Sequence, residues 1–212
     1  MILLIRTKHD TQTNYLYAYT EPLIKEAEDK GFRVEKVEGT DINFKNIGKR
    51  LQSKQFKLIL FNGHGSKTSL YNNRGEEFIN LDSAHLFNKT ITYARACDSL
   101  VELGEKAVKT GCHAYIGYKK KFWIAREHIH ECNPEKDAVA RKIIECSNTV
   151  ATELLETKTV QEAVGKSHQH SAKTIMDLIY SKEPLASPAL AALVANDDAL
   201  DYKGNPNARI IK

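Results

Sequence analysis

Apolar and amphipathic stretches alternate along the chain, and this alternation predicts strands separated by helices. Apolar runs at residues 1–5, 56–61, 90–94 and 113–118, and an alternating stretch at 32–37, are expected to be strands. The three-to-four spacing of apolar residues predicts helices over residues 13–30, 41–51, 99–110, 135–155 and 160–180. Strands and helices in this order favour right-handed crossovers and a mostly parallel sheet covered on both faces. The predicted fold class is α/β, a three-layer α/β/α sandwich.

Two further segments carry turn signals rather than a helical pattern. A polar stretch between the third and fourth predicted strands contains Asn72, Asn73 and Gly75, and it predicts a small hairpin of 69–71 against 78–81. The last segment, residues 191–211, predicts a short strand pair that turns at 196–198, where Asn and Asp residues cluster.

Composition and charge restrict the classes of protein that this chain can belong to. Its 212 residues, 42% hydrophobic and 27% charged, suit one sizeable core, so we predict a single domain spanning residues 1–212. The first apolar run ends at Arg6, which is too soon for a signal peptide or a membrane span. The formal charge of +4 is spread along the chain, and its one tight basic cluster, 119–121, is more typical of a solvated loop than of a nucleic-acid site.

The four cysteines, Cys97, Cys112, Cys132 and Cys146, indicate a reducing compartment. They are too sparse for a disulfide scaffold and lack the paired spacing of a zinc ribbon. We therefore expect a cytoplasmic protein that does not contact membranes.

Two of the predicted strands end directly before a chemically reactive side chain. One leads into Asn-Gly-His-Gly-Ser, which contains His64, and the next leads into Arg-Ala-Cys-Asp-Ser, which contains Cys97. The carboxyl ends of parallel strands form one rim where ligands bind, and neighbouring strands lie only about 4.8 Å apart. His64 and Cys97 are therefore expected to act on the same substrate carbonyl.

This pair has the chemistry of a cysteine hydrolase. A helix beginning near residue 99 would lower the pKa of the Cys97 thiol, and the backbone N–H groups of Cys97 and Gly65 would hold an oxyanion. His64 would donate a proton to the leaving amine. Alone, each residue has a plainer interpretation: a cysteine after an apolar strand is usually a core residue, and a histidine between glycines usually lies in a turn. The prediction depends on their occurring together after successive strands.

Both blocks resemble those of a known family. The run from Asn62 to Ser66, followed by Leu70 and Tyr71, is similar to the His block of the caspase-like cysteine peptidases, and the run from Arg95 to Ser99 is similar to their Cys block. The segment from Asn196 to Arg209 also resembles the end of CHAT and gingipain-type domains. The resemblance implies a caspase-like fold, nearest to the CHAT, separase and gingipain branches. It implies Cys97 and His64 as a catalytic dyad, with Gly65 beside the oxyanion site.

The chain departs from the caspase signature itself. Caspases have Gln two residues before the cysteine and Gly two residues after it, whereas this chain has Arg95 and Ser99, and its distance from His to Cys is shorter than the caspase value of about 50 residues. The resemblance implies an endopeptidase that acts on a protein partner and is controlled by a regulatory protein, without a cofactor. The segments 66–80 and 119–134 are predicted to border the cleft and to rearrange on activation.

Substrate preference is predicted from the charges at the rim. Residues two apart on a strand share a face, so Arg95 is expected to point towards the same edge as Cys97, with Arg6 on the same rim. Two guanidinium groups there would favour cleavage after Asp or Glu. Alternatively, Arg95 pairs with Asp98 or Asp10 and is structural. If Asp98 or Asp10 faces the pocket instead, a basic residue is preferred before the scissile bond.

Other kinds of site and function remain open at this stage. His128, His130 and Cys132 alternate along the chain, and His168 and His170 would complete a zinc site, although such spacing usually marks a polar loop. The glycines around His64 lack the lysine of a nucleotide-binding loop. We predict no metal at the reaction centre. The competing functions are a catalytically inactive interaction module of the same fold and a different acyl hydrolase that uses the same dyad.

Overall fold

The apolar runs form a central sheet, as the sequence predicts. In the computed structural model, which describes residues 1–211, the strands are β1 (Ile2–Arg6), β2 (Val34–Glu38), β3 (Leu58–Asn62), β4 (Leu70–Tyr71), β5 (Glu77–Ile79), β6 (Ile91–Arg95), β7 (Ala114–Tyr118) and β8 (Leu200–Gly204). Six of them form one sheet in the order β2-β1-β3-β6-β7-β8. All neighbours in it are parallel except β8, which runs antiparallel to β7. The predicted hairpin is present as β4 and β5.

Helices cover both faces of this sheet. They are α1 (Thr11–Ala18), α2 (Glu21–Asp29), α3 (Phe44–Ser53), α4 (Leu103–Lys109), α5 (Ala138–Leu155), α6 (Val160–Ile179) and α7 (Ala186–Ala199). One face packs against α1, α2, α5 and α6, and the other against α3, α4 and the hairpin. The three-layer α/β/α sandwich with a mostly parallel sheet is thereby confirmed.

The strands show why their sequences are continuously apolar rather than alternating. In β1, Ile2 and Leu4 belong to the core under α1, α2, α5 and α6, whereas Leu3 and Ile5 belong to the core on the opposite face. All four side chains are at most 1% exposed. A strand that is buried on both faces needs apolar residues at every position, and this is typical of parallel sheets.

Near the start of the chain, two helix boundaries differ from the predicted ones. The helix expected over 13–30 is two helices, because α1 ends at Ala18 and α2 begins at Glu21 with Pro22 in its first turn. Proline has no N–H to continue a preceding helix but fits the first turn of a new one. The third helix is capped by Asn43, whose side chain accepts from the Asn46 N–H, while Asp41 lies in a preceding 3₁₀ turn.

The prediction of a strand pair near the end of the chain is wrong. Residues 186–199 form α7, which packs on α5 and α6, and only β8 follows as a strand. Alanine is the strongest helix former, and six alanines lie in α7. The polar residue Asn196 bonds to the Trp123 backbone from within this helix instead of forming a turn.

None of the helices in the described residues combines the length and the apolar character that a bilayer span requires.

Candidate active site

Strand register places the two reactive blocks side by side. β3 and β6 are parallel neighbours, and their last residues, Asn62 and Arg95, are directly paired. His64 and Cys97 each follow two residues later, so both leave the sheet at the same edge. The side chains also line one small cavity of about 20 Å³, together with Phe122, Ile124 and residues of α1. This cavity is far smaller than the several hundred Å³ of a typical ligand pocket, so the candidate site is closed.

Gly65 lies where the two blocks touch. A Cβ at this position would come within 2.8 Å of the Ala96 Cβ and 3.1 Å of the Cys97 carbonyl oxygen. Real Cβ atoms do not approach other atoms so closely without displacing them, so glycine is required for this backbone-to-backbone contact. The contact joins the segment containing His64 to the segment containing Cys97.

The surroundings of Cys97 differ from the prediction. The helix expected from about residue 99 begins only at Leu103, so the Cys97 thiol does not lie at a helix amino terminus. Burial raises the pKa of this thiol, and the nearby Asp98 charge adds to the effect, whereas the Phe122 N–H acts in the opposite direction. That N–H donates a hydrogen bond of 3.3 Å to Cys97 Sγ. In this conformation burial therefore disfavours the thiolate form of Cys97.

A long connection covers Cys97. Residues 119–134, which we call the strap, follow β7, contain a 3₁₀ turn at His128–His130 and end where a second one begins. Besides the contact of Phe122 with the sulfur, the Lys120 carbonyl oxygen accepts from the Asp98 N–H at 3.2 Å. The first amide after Cys97 is thus bonded to the strap. The oxyanion role predicted for the N–H groups of Cys97 and Gly65 remains a prediction.

His64 has a carboxylate partner that the sequence interpretation did not assign to it. Its Nε2 lies 2.5 Å from Oδ2 of Asp10. Asp10 caps α1, and its other carboxylate oxygen accepts from the Thr13 N–H at 2.8 Å. Burial alone would raise the pKa of Asp10, but hydrogen bonds from Thr13 and His64 hold it below its ordinary value. Asp10 is therefore an ionised, firmly placed partner for the imidazole.

Sheet order explains this pairing. Asp10 follows β1, and β1 is the parallel neighbour of β3, which carries His64. In the sequence, Asp10 and Thr13 directly after the first strand are typical of a helix cap, and this pattern indicates a helix start rather than a partner for His64. A second residue that the sequence did not indicate is Asn62. Its side-chain amide donates to Thr20 Oγ1 and accepts from Arg95 Nε, across the edge of the sheet.

Arg95 lines the cavity but is anchored away from the rim. It is 1% exposed, and its Nε donates to Asn62 Oδ1 at 2.8 Å. Its Nη1 donates to Ser147 Oγ at 2.8 Å and to Asn148 Oδ1 at 2.6 Å, which ties β6 to α5. Neither Asp98 nor Asp10 bonds to it, so the predicted internal ion pair is wrong. Burial lowers the pKa of this guanidinium.

The role predicted for Arg6 in substrate binding is wrong. Its guanidinium is 2% exposed and bonds to the carboxylates of Glu21 and Glu38, each at 2.6 Å. It also stacks 3.7 Å from the centre of the Tyr17 ring. Two internal carboxylates already neutralise this charge, so it cannot serve as a receptor for a substrate carboxylate.

Asp98 is also not part of the cavity lining described above. It has a left-handed backbone with φ of 55°, which aspartate tolerates better than most residues, and its amide is held by the strap. Its predicted part in substrate recognition remains a prediction.

The alternative zinc set is not assembled. His128 contacts Glu131, His168 contacts Asp197 and His170 contacts Thr149, so each has a separate partner. Within residues 1–211, one group of at least three potential ligands is gathered, and it is a different one, formed by His9, Asp10 and His64.

Comparisons with known proteins support the fold. No protein-family profile and no curated protein sequence matches the chain. Among solved structures, it is similar to the Arg-specific cysteine proteinase gingipain R (RgpB), with a TM-score of 0.62 and 14% identity over 99% of this chain. It is also similar to the complex of the Porphyromonas gingivalis RgpB pro- and mature domains, with a TM-score of 0.62 and 12% identity over 99% of this chain.

The chain has a caspase-like fold. This agrees with the fold that the two sequence blocks imply, and it does not distinguish among the CHAT, separase and gingipain branches. The chain spans about half of each solved structure, 47% and 48% of their lengths. At this level of identity the similarity concerns the path of the backbone, so the chemistry has to be argued from the residues of this chain.

Proposed function

We propose that this chain is a cysteine peptidase in which Cys97 is the nucleophile and His64 the general acid and base. The observation that carries the proposal is the convergence of the two blocks: they leave paired strand ends, touch at Gly65 and line one cavity. Cysteine hydrolases need a thiol and an imidazole at one carbonyl, with a third group to orient the imidazole. Asp10 supplies that third group.

The reaction proceeds in two steps. In the opened site His64 takes the proton of the Cys97 thiol, and the resulting thiolate attacks the substrate carbonyl carbon. The C–N bond then breaks as His64 gives this proton to the leaving amine, which leaves a thioester. A water molecule then attacks the thioester as His64 takes its proton, and the bond from sulfur to carbon breaks. Because Nε2 of His64 is bonded to Asp10, Nδ1 is the ring nitrogen that exchanges these protons. Backbone N–H groups of Gly65 and Cys97 are proposed to stabilise the oxyanion.

Opening of the strap is the proposed activation step. Moving residues 119–134 away would break two hydrogen bonds in one motion. One joins the Phe122 N–H to the Cys97 sulfur, and the other joins the Asp98 N–H to the Lys120 carbonyl oxygen. This motion would also enlarge a cavity that is now too small for a peptide side chain. The event that opens the strap is proposed to be binding of a protein substrate or a regulatory protein.

Arg95 is the proposed determinant of specificity, favouring an acidic residue before the scissile bond. The guanidinium is buried beside Cys97, and all three of its described hydrogen-bond acceptors are uncharged. Burying a charge without a counter-ion is unfavourable, so a carboxylate that enters the enlarged cavity would be stabilised there. Asp10, the acid that would favour a basic residue instead, is engaged by His64.

A panel of fluorogenic peptides with Asp, Glu, Asn, Gln, Arg or Lys before the scissile bond tests both the dyad and the role of Arg95 in specificity. We expect cleavage that is abolished by Cys97→Ala and faster, by about 100-fold or more in kcat/KM, for Asp or Glu than for Asn or Gln. Cleavage that persists in Cys97→Ala would overturn the dyad. Cleavage that depends on Cys97 but favours Arg or Lys would overturn only the role of Arg95.

The second candidate function is a non-catalytic module that binds a peptide in the same cleft. The raised pKa of Cys97 and the covered sulfur favour it, because an inactive relative has no need of a thiolate. Binding of the same peptides without turnover, and unaffected by Cys97→Ala, would support this function instead.

A further inference from the structure

A second cluster of ligating side chains overlaps the candidate active site. His9 and Asp10 follow β1, and His64 follows the neighbouring β3. Asp10 Oδ2 lies 3.7 Å from His9 Nε2 and 2.5 Å from His64 Nε2. One ligand atom from each of the three residues lies within 4.8 Å of the other two. The peptidase chemistry uses Asp10 and His64 and leaves His9 without a role.

These atoms are a donor set that zinc prefers. Three protein ligands of the imidazole and carboxylate type, with a fourth position left to solvent, are typical of open zinc sites. Bonds of about 2.0–2.1 Å in tetrahedral geometry place ligand atoms about 3.3 Å from one another. The two distances from Asp10 lie on either side of this value, so rotations about side-chain bonds are enough to reach it.

The local structure supports such a site. Asp10 is fixed by its hydrogen bonds to Thr13, and the His9 N–H donates to Thr13 Oγ1 at 3.0 Å, so one turn positions both ligands. The imidazoles of His9 and His64 meet edge to face, with 5.3 Å between ring centres. The neighbouring ammonium group of Lys8 lies over the Tyr17 ring, 5.0 Å from its centre. All three ligating side chains reach solvent, so an ion can enter without unfolding.

We propose that His9, Asp10 and His64 bind a Zn²⁺ ion, and that this ion inhibits the peptidase. The inhibitory part depends on the proposed function. Zinc would take the Nε2 lone pair of His64 and the Asp10 carboxylate, so the imidazole would lose its orienting partner and turn towards the metal. A metal-bound imidazole cannot carry a proton between Cys97 and a leaving group. Zinc bound here is therefore a reversible switch rather than a cofactor of the reaction.

Titration calorimetry with ZnCl₂ tests the binding directly. The protein is the full chain with Cys97→Ala and Cys132→Ser, which removes the half-buried thiol beside the site, the exposed thiol and any turnover. We expect one site whose affinity falls at least tenfold with His9→Gln, and His64 ring signals in NMR spectra that shift with zinc. The matched control is His85→Gln, since His85 is another exposed histidine and its ring contacts the Asp82 carbonyl. Unchanged affinity in His9→Gln, or no binding at all, would overturn the site.

Inhibition is measured separately with the thiols intact. We expect zinc to lower peptide cleavage in the parent chain and to do so at concentrations at least tenfold higher in His9→Gln. Equal sensitivity of the two proteins would overturn the inhibitory role. If zinc binds but no peptide is cleaved under any condition, the proposed function fails while the metal site stands.

Discussion

The His64 imidazole and the Asp10 carboxylate lie 2.5 Å apart, on loops that follow neighbouring parallel strands. This contact adds a third residue to the reactive pair, because Asp10 engages Nε2 of His64 and leaves Nδ1 for the proposed proton transfers. It also links the start of the chain to the candidate site.

Asp10→Asn tests this orienting role. The amide preserves the size of the side chain and an oxygen for capping α1, but it removes the negative charge beside His64. We expect kcat for peptide cleavage to fall about 10- to 100-fold, with KM changed by less than about threefold. Thermal unfolding provides the control, since a shift of more than a few degrees would mean that the loss reflects folding. Unchanged kcat would show that the carboxylate only caps the helix.

Gly65→Ala tests the contact between the two blocks. The added methyl would overlap Ala96 and the Cys97 carbonyl, and such overpacking costs about 1–3 kcal/mol of the free energy of unfolding. The matched control is Gly165→Ala in α6, where a Cβ meets nothing within 4 Å; it should stabilise the protein by about 0.5–1 kcal/mol. Chemical denaturation measures both. Equal effects of the two substitutions would contradict the close approach at Gly65.

Asn196→Ala tests whether the strap controls access to Cys97. The Asn196 side chain bonds to both the N–H and the carbonyl of Trp123, each at 2.8 Å, so its removal frees the middle of the strap. We expect iodoacetamide to alkylate Cys97 several-fold faster in this variant, as measured by mass spectrometry of peptides. Cys112, which is buried in the core on the α3 and α4 face of the sheet and lies outside the strap, serves as an internal control and should stay as slow as in the parent chain. An unchanged rate at Cys97 would mean that another segment covers the thiol.

The pH dependence of the same reaction tests the state of the thiol. Burial raises the pKa of Cys97, so in the closed protein the fraction of thiolate, and with it the alkylation rate, should still be rising with pH beyond the ordinary thiol range. Cys112, whose pKa is raised to about 11, should lag further behind. A rate at Cys97 that already levels off near neutral pH would show that the resting protein holds a thiolate.

Glu35 provides a pH test of stability away from the site. Burial alone would raise the pKa of Glu35, but hydrogen bonds from Lys54 and Arg50 make the net shift downward. A lowered folded-state pKa adds stability that is present above the unfolded value and is lost as pH falls through the folded value. Because these groups are partly exposed, Glu35→Gln should cost about 0.5–1 kcal/mol at neutral pH and nothing in strong acid. If Glu35→Gln lowered the free energy of unfolding by the same amount at every pH, the ionised Glu35 carboxylate would not be the source of this stability.

The sequence predicted the parts of this structure that depend on local pattern. The apolar runs that end before His64 and Cys97 mark β3 and β6 because burial on both faces demands continuous apolar residues. Asn196 and its neighbours misled the interpretation, since turn-forming residues can also lie in a helix when tertiary contacts satisfy them. Pro22 indicates the break between α1 and α2, but the apolar stripe that predicts one long helix continues across it.

Residues whose partners lie far along the chain could not be assigned from the sequence. Arg95 is held by Ser147 and Asn148 on α5, and nothing near Arg95 in the chain indicates those acceptors. The pairing of Asp10 with His64 required the knowledge that β1 lies beside β3. The state of Cys97 depends on where α4 begins and on the course of the strap, and both are set by packing rather than by local preference.

Covalent labelling shows most directly whether Cys97 and His64 act together. A peptidyl acyloxymethyl ketone with Asp at its reactive end is incubated with the parent chain, with His64→Ala and with Cys132→Ser, and the modified residue is located by mass spectrometry. We expect a single adduct on Cys97 that forms equally fast in Cys132→Ser and at least 100-fold more slowly in His64→Ala. Labelling of Cys97 at the same rate with and without His64, or labelling of Cys132 alone, would contradict this expectation.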